Sequence, residues 1–295
     1  MNPSLALRHG IHYRYDRAIL LGPHVIRLHP TAHSRLPIRN YTLTLTPAPQ
    51  TLYWQEDPFG NSVARALFGE KVHELAVVME TKVDWVSINP FDFLLDRSVE
   101  CWPFSYDLPL LKALAPYLEV SAQGVHFQAF VAALPSRITP TVAFLAHLTQ
   151  QVAHHVTYTS RLEAGIQNCE TTLREKTGSC RDNAWLLIQI ARQLGLAARF
   201  VSGYLIELAD TISVKTPDSL ALHAWVDVFL PGAGWVGLDP TSGLFAGPGY
   251  LPLACVPDPI FATPVEGTCE PCPIDWSYTQ TVERLPCGTP IDHSG

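Results

Sequence analysis

Across residues 10–95 apolar and polar positions alternate with period two. Ile11, Tyr13 and Tyr15 are interleaved with His12 and Arg14, and Tyr41, Leu43 and Leu45 with threonines. Leu75, Val77, Met79, Val83 and Trp85 keep the alternation, while "DPFGN" (57–61) and "PAPQ" (47–50) supply turn residues between the runs. This pattern predicts short, half-buried strands. An antiparallel β-sandwich or barrel is therefore expected for residues 1–95. No nucleophile or ligand cluster stands out in it, so a structural or substrate-flanking role is the plainer reading.

After residue 95 the period changes. "DLPLLKALAPYLEV" and "TPTVAFLAHLTQQVAHHV" are helical in pattern and punctuated by proline, with Thr139-Pro140 as a helix start, making residues 96–155 a helical lead-in. From 156 to 262 the expected order is a helix followed by strands. Ala184, Leu187, Ile188 and Ala191 recur on one helical face, Gly195 is placed to end that helix, and "ARFVSGYLIEL", "LHAWVDVFL" and "GWVGLDP" read as strands. The fold class is α+β. From Gly243 onward proline and glycine predict a long wrapping segment. Within 263–295, "IDWSYTQTVERL" alternates again and is expected to return as a strand to the β domain.

Composition acts mainly by exclusion. A chain of 295 residues with 47% hydrophobic and 16% charged residues has enough apolar matter for two folded domains. A net charge of -7 offers no basic surplus for phosphate backbones, so no nucleic-acid partner is expected. Arg8, His9, Arg14, Asp16 and Arg17 interrupt the apolar run a signal peptide needs, and Gln150, Gln151, His154 and His155 interrupt the best membrane-span candidate. Seven cysteines, odd in number and scattered, do not suggest a disulfide framework. A reduced, cytoplasmic setting without membrane association is the expectation.

The chemistry centres on "TGSCRDNAWLL". Ser179 suits an N-cap and Asp182 follows three residues later, so "SCRD" reads as a capping box that makes Cys180 the first residue of its helix. A thiol there faces unpaired backbone N–H groups and the positive helix end, which favour a thiolate and an oxyanion. Acyl transfer also needs a proton carrier held by an acceptor. On "LHAWVDVFL", His223 shares a strand face with Trp225, Asp227 and Phe229, and on the next strand Trp235, Gly237 and Asp239 share one. A hairpin loop with an odd number of residues puts His223 and Asp239 on one face as diagonal neighbours; a two- or four-residue loop without a bulge separates them.

"GSCRDNAWLLIQIARQLGLAARFVSGYL", "HAWVDVFLPGAGWVGLDPTSG" and the N-terminal "HYRYDRAILLGPHVIRLHP" together resemble the bacterial transglutaminase-like proteins. The resemblance covers nearly the whole chain. It implies an N-terminal β region joined to a papain-like transglutaminase core, with Cys180 as nucleophile, His223 as its histidine and Asp239 as the acid. It also implies an upstream aromatic or amide side chain near the thiol, for which Tyr158 and Gln167 are the candidates. Arg181, Trp185, Trp225 and Tyr204 are candidates for the cleft. The implied chemistry is attack on a peptide or carboxamide bond through a thioester, with no cofactor and no metal. Hydrolysis is preferred over transfer to an amine, because acidic clusters of a calcium-switched enzyme are lacking. Such modules often front longer polypeptides; this sequence stops at Gly295, leaving a fragment and a stand-alone form both open, and oligomeric state is not addressed.

Two readings of other classes compete. "CEPC" (Cys269, Cys272), with Cys287 nearby, is a weak signature of structural zinc because a second pair at zinc spacing is missing. An inactive, peptide-binding module on a protease fold is the other. Cleft specificity is expected from residues 156–178, 208–221 and 243–262.

Overall fold

The computed structural model describes residues 3–135, 137–161, 163–209 and 217–286. Its first part is six strands: β1 (Ser4–Ile19), β2 (Leu21–Ile26), β3 (Ile38–Thr46), β4 (Thr51–Glu56), β5 (Ser62–Leu67) and β6 (Val72–Asp84). They divide between two antiparallel sheets whose inner side chains meet. Leu5, Leu7, Leu75, Val77 and Met79 of one sheet pack with Leu21, Ile26, Ala64 and Ala66 of the other. These are the period-two positions; one face is buried because alternate side chains share it.

The middle of the chain is largely helical. β7 (Cys101–Trp102) and β8 (Thr139–Pro140) form a short pair around α1 (Leu108–Ala113) and α2 (Val125–Ala132), and α3 (Thr141–His155) follows. Among the described residues no helix is long and apolar enough to cross a membrane. β9 (Thr157–Tyr158) then pairs in parallel with β10 (Thr177–Gly178), with α4 (Cys169–Glu175) between them. Immediately after β10 comes α5 (Cys180–Gln193). Its face of Ala184, Leu187, Ile188 and Ala191 is fully buried, and it stops where Gly195 takes a φ of 81°, a left-handed conformation that glycine adopts freely.

α5 packs on a five-stranded antiparallel sheet made of β11 (Ala198–Glu207), β12 (Ser219–Leu230), β13 (Gly234–Asp239), β14 (Leu244–Phe245) and β15 (Tyr250–Val256), in the order β14-β13-β12-β11-β15. The segment after Gly243 thus differs from the expected wrapping chain: it contributes two strands. Pro252 masks β15 in the sequence, but β15 lies at the sheet edge and carries a register shift, where proline is tolerated. Tyr204, Ile206, Leu220, Leu251 and Leu253 extend the sheet's packing into the core of the first two sheets, so the two halves share buried surface.

The chain then runs back. β16 (Val265–Cys269) pairs with β2, and β17 (Ile274–Leu285) pairs with β1 from Tyr15↔Ile274 to Ser4↔Leu285. Both N-terminal sheets are thereby four-stranded, β17-β1-β6-β3 and β16-β2-β5-β4.

Candidate active site

Cys180 is the first residue of α5 and is partly exposed. The turn before it is pinned by Asp182, whose Oδ2 accepts hydrogen bonds from the Ser179 backbone N–H (2.8 Å) and hydroxyl (2.7 Å). Asp182 also accepts from Arg161 Nε (3.1 Å) and Nη2 (2.9 Å) and from the Gln167 backbone N–H (2.7 Å). Burial opposes its charge, but these donors hold the carboxyl below its usual range. Asp182 therefore does more than cap a helix; it ties Arg161 and Gln167 to the turn before Cys180.

His223 and Asp239 are brought together by register. The β12–β13 loop is the three residues 231–233, so Leu230 pairs with Gly234, Phe229 with Trp235 and Asp227 with Gly237. Continuing that register sets Asp239 opposite Trp225, one step diagonal from His223 on the same face. His223 Nε2 meets Asp239 Oδ2 at 3.1 Å, with side chains 9% and 2% exposed. Asp239 Oδ2 also accepts the Tyr250 hydroxyl at 2.7 Å, and Oδ1 accepts the Thr241 N–H at 2.8 Å. Since Nε2 is committed to Asp239, Nδ1 is the nitrogen left for the Cys180 thiol, whose charge favours the imidazolium.

The electrostatics follow. Burial alone would lower the His223 pKa, but hydrogen bonds and charge from Asp239 and Cys180 raise it to about 9. Burial likewise opposes the Asp239 charge, and His223, Tyr250 and the Thr241 N–H together keep its carboxyl below the usual range. The arrangement sustains an imidazolium at neutral pH. Asp227, on the same sheet face, is neutralised by Arg199 through Nε (3.0 Å) and Nη2 (2.9 Å).

Trp225 walls the imidazole, its ring centroid 6.4 Å away at an interplanar angle of 23°, and Tyr250 crosses Trp225 edge-on at 5.2 Å. Gly203, paired with His223 across β11 and β12, makes room for that indole. A Cβ there would stand 2.6 Å from the Trp225 ring and 2.3 Å from the Leu251 carbonyl oxygen.

The remaining candidates separate. Tyr158 is exposed and near the thiol: burial first, then Cys180 and Tyr278, push its phenol above the usual range. Gln167 donates its backbone N–H to Asp182, and its side-chain Nε2 is buried without a partner. Arg181 Nη2 donates to the carbonyls of Arg161 (2.9 Å) and Glu163 (3.0 Å), clamping the loop beside the thiol. Trp185 is partly buried against the helix-side core, as Cys180 is, with the Arg192 guanidinium 5.4 Å over its ring. Tyr204 is corrected. It is wholly buried and hydrogen-bonds His9 Nδ1 at 2.7 Å, because it pairs with Leu222 and so points to the sheet face opposite Gly203 and His223.

Sequence reasoning missed Tyr250, the second partner of Asp239 Oδ2. The alternation of "GYLPLACV" was the available signal, obscured by its proline. Cys269 and Cys272 sit partly buried at the β16 end and the following turn, with Cys287 outside the described residues. No group of three or more His, Cys, Asp or Glu side chains suited to a metal occurs among the described residues.

The fold agrees with two family models. Residues 5–84 match the bacterial transglutaminase-like N-terminal region, and residues 128–240, a range that includes Cys180, His223 and Asp239, match the transglutaminase-like superfamily core. This chain is a bacterial transglutaminase-like protein, an N-terminal β region followed by a transglutaminase-like core. The crystal structure of a "putative cysteine protease" from Cytophaga hutchinsonii has the same fold: TM-score 0.71 at 18% identity, covering 100% of this chain and 95% of that one. An uncharacterized protein of Mycobacterium tuberculosis is 26% identical over 253 residues, covering 82% of this chain and 80% of its own. Another, from Mycobacterium leprae, is 30% identical over 95 residues, covering 32% of this chain and 33% of its own.

Proposed function

We propose that this protein is a thiol hydrolase that cleaves peptide or carboxamide bonds through a thioester on Cys180, with His223 and Asp239 as its partners. The observation that carries this reading is the hydrogen-bonded series Tyr250–Asp239–His223, whose imidazole is electrostatically coupled to Cys180 at a helix N-terminus. The Cys180 sulfur bonds to the substrate carbonyl carbon, and the C–N bond breaks as His223 passes its Nδ1 proton to the leaving amine. Asp239 keeps Nε2–H oriented and offsets the imidazolium charge. Water then gives a proton to His223 and attacks the thioester, releasing the acid and restoring the thiol.

The tetrahedral oxyanion calls for donors that are already in place, and the free N–H groups of the first α5 turn answer that need. Tyr158 is the side chain we assign to assist them, on its proximity to the thiol. Gln167 is the second candidate, on its unpartnered amide nitrogen.

The test is a product analysis. Peptide amides and glutamine donors are incubated with and without an amine acceptor, and wild type is compared with Cys180→Ala. Free acids that disappear in the variant are expected. Amine-linked products would reassign the reaction to acyl transfer, undiminished turnover by Cys180→Ala would overturn the thiol chemistry, and peptide binding without turnover by wild type would leave a peptide-binding module.

A further inference from the structure

β17 belongs by its backbone to the N-terminal sheet, yet it also touches the strand that carries His223. Gln280 Oε1 accepts the backbone N–H of Leu222 at 3.4 Å, which sets β17 against the residue just before His223. Two residues further along the same face stands Tyr278. Trp276, two residues further again, stacks on Tyr278 with ring centroids 6.0 Å apart and planes at 23°. Both rings remain open to solvent, Trp276 at 45% and Tyr278 at 50%, and Tyr158, which pairs with Gly178 two residues before Cys180, is exposed as well at 53%.

Large rings held in parallel and left half-exposed offer an apolar platform of fixed shape. Its place on the strand that bonds to Leu222, next to His223, argues for substrate as the occupant. β17 is an edge strand of β17-β1-β6-β3, so an extended chain has a lane beside it. We propose that Trp276 and Tyr278 form a subsite that selects an aromatic or large aliphatic side chain of a peptide substrate close to the bond attacked by Cys180. The inference rests on the thiol-hydrolase reading and adds a role for the N-terminal sheet: its last strand supplies specificity to the transglutaminase-like core.

A matched pair of peptidyl chloromethyl ketones, one ending in phenylalanine and one in alanine, tests it alongside iodoacetamide, which has no side chain to place. Rates of Cys180 alkylation are read by intact mass and peptide mapping. An aromatic ring on such a platform is worth a factor of about three to ten. Wild type should therefore prefer the phenylalanine reagent by about that factor over the ratio shown by a simple thiol. The preference should vanish in Trp276→Ala and in Trp276→Ala/Tyr278→Ala and persist in Tyr278→Phe, with the iodoacetamide rate unchanged throughout. No preference in wild type, or a preference that survives the double variant, overturns the subsite while leaving the thiol chemistry intact. Iodoacetamide labelling of Cys180 no faster than free cysteine overturns the thiol-hydrolase reading, and the subsite with it.

Discussion

Replacing Asp239 by Asn removes the charge from the triad and nearly conserves its shape. The Thr241 N–H donates to Oδ1 at 2.8 Å, so the amide oxygen of the new side chain is held there and its NH2 faces His223 Nε2 and the Tyr250 hydroxyl. Tyr250 can rotate to accept; two N–H donors cannot face each other, so His223 must present an unprotonated Nε2. The carboxylate is a main reason that His223 rises from 6.5 to about 9 in spite of burial. At 1.36 kcal/mol per unit that rise is worth about 3 kcal/mol in favour of the imidazolium. With the carboxylate gone, Cys180 alone opposes the effect of burial, and the imidazole should titrate below its ordinary value of 6.5. Near pH ~7.5 the charged fraction falls from almost all to under about a tenth, and hydrolysis slows by about tenfold or more. Nitrogen-15 NMR titration of His223, with the pH–rate profile of hydrolysis, measures this: the alkaline limb should move from about 9 to below 6.5. Stability carries the same signature. A raised histidine pKa stabilises the fold fully below 6.5 and loses that contribution as pH climbs through about 9, so urea unfolding of wild type should weaken across that window while Asp239→Asn stays flat. A His223 titration still near 9 in the variant would refute the reasoning.

Tyr250→Phe removes one charge-assisted hydrogen bond from Asp239 and should lower kcat by about tenfold with KM unchanged; steady-state kinetics decide, and a pure KM effect would mean that Tyr250 contacts substrate instead. Asp182→Ala strands the Arg161 guanidinium and the N–H groups of Ser179 and Gln167, and should cost about 3–5 kcal/mol in denaturant unfolding. A loss under ~1 kcal/mol would show that the loop is held by other contacts. Gly203→Ala drives a Cβ against backbone oxygen as well as the Trp225 ring, and about 1–3 kcal/mol of destabilisation is expected with a changed near-ultraviolet tryptophan signal. An unaltered spectrum and melting curve would contradict that packing.

Much of the site could be read from local pattern. The capping-box spacing of Ser179 and Asp182, and the apolar face at Ala184, Leu187, Ile188 and Ala191, are consequences of helical geometry, and they place Cys180 at a helix start without reference to the rest of the chain. The diagonal of His223 and Asp239 was conditional on loop parity, because a slip of one residue reverses every side chain in a strand. Tyr204 went astray for the same reason: its face depends on which residue of β12 it opposes, and that is a property of pairing. Tyr250 was hidden because a proline breaks the alternation of β15, and only the sheet order shows that this strand lies at an edge.

The sequence by itself determined the period of each segment, the punctuation between segments, and the side chains available for chemistry. These are local matters, since helix and strand periodicities and caps act within a few residues. Tertiary structure decided the rest. The 3.1 Å contact between His223 and Asp239, the shift of His223 to about 9, and the convergence of Arg161, Gln167 and Ser179 on Asp182 all depend on burial and on partners brought together by folding. So does the hydrogen bond from the Leu222 N–H to Gln280, which joins the last strand to the one that carries His223. The physical reason is common to all of them: the strength of a charge or hydrogen bond is set by the medium and the neighbours around it, and both come into being when distant segments exclude water together.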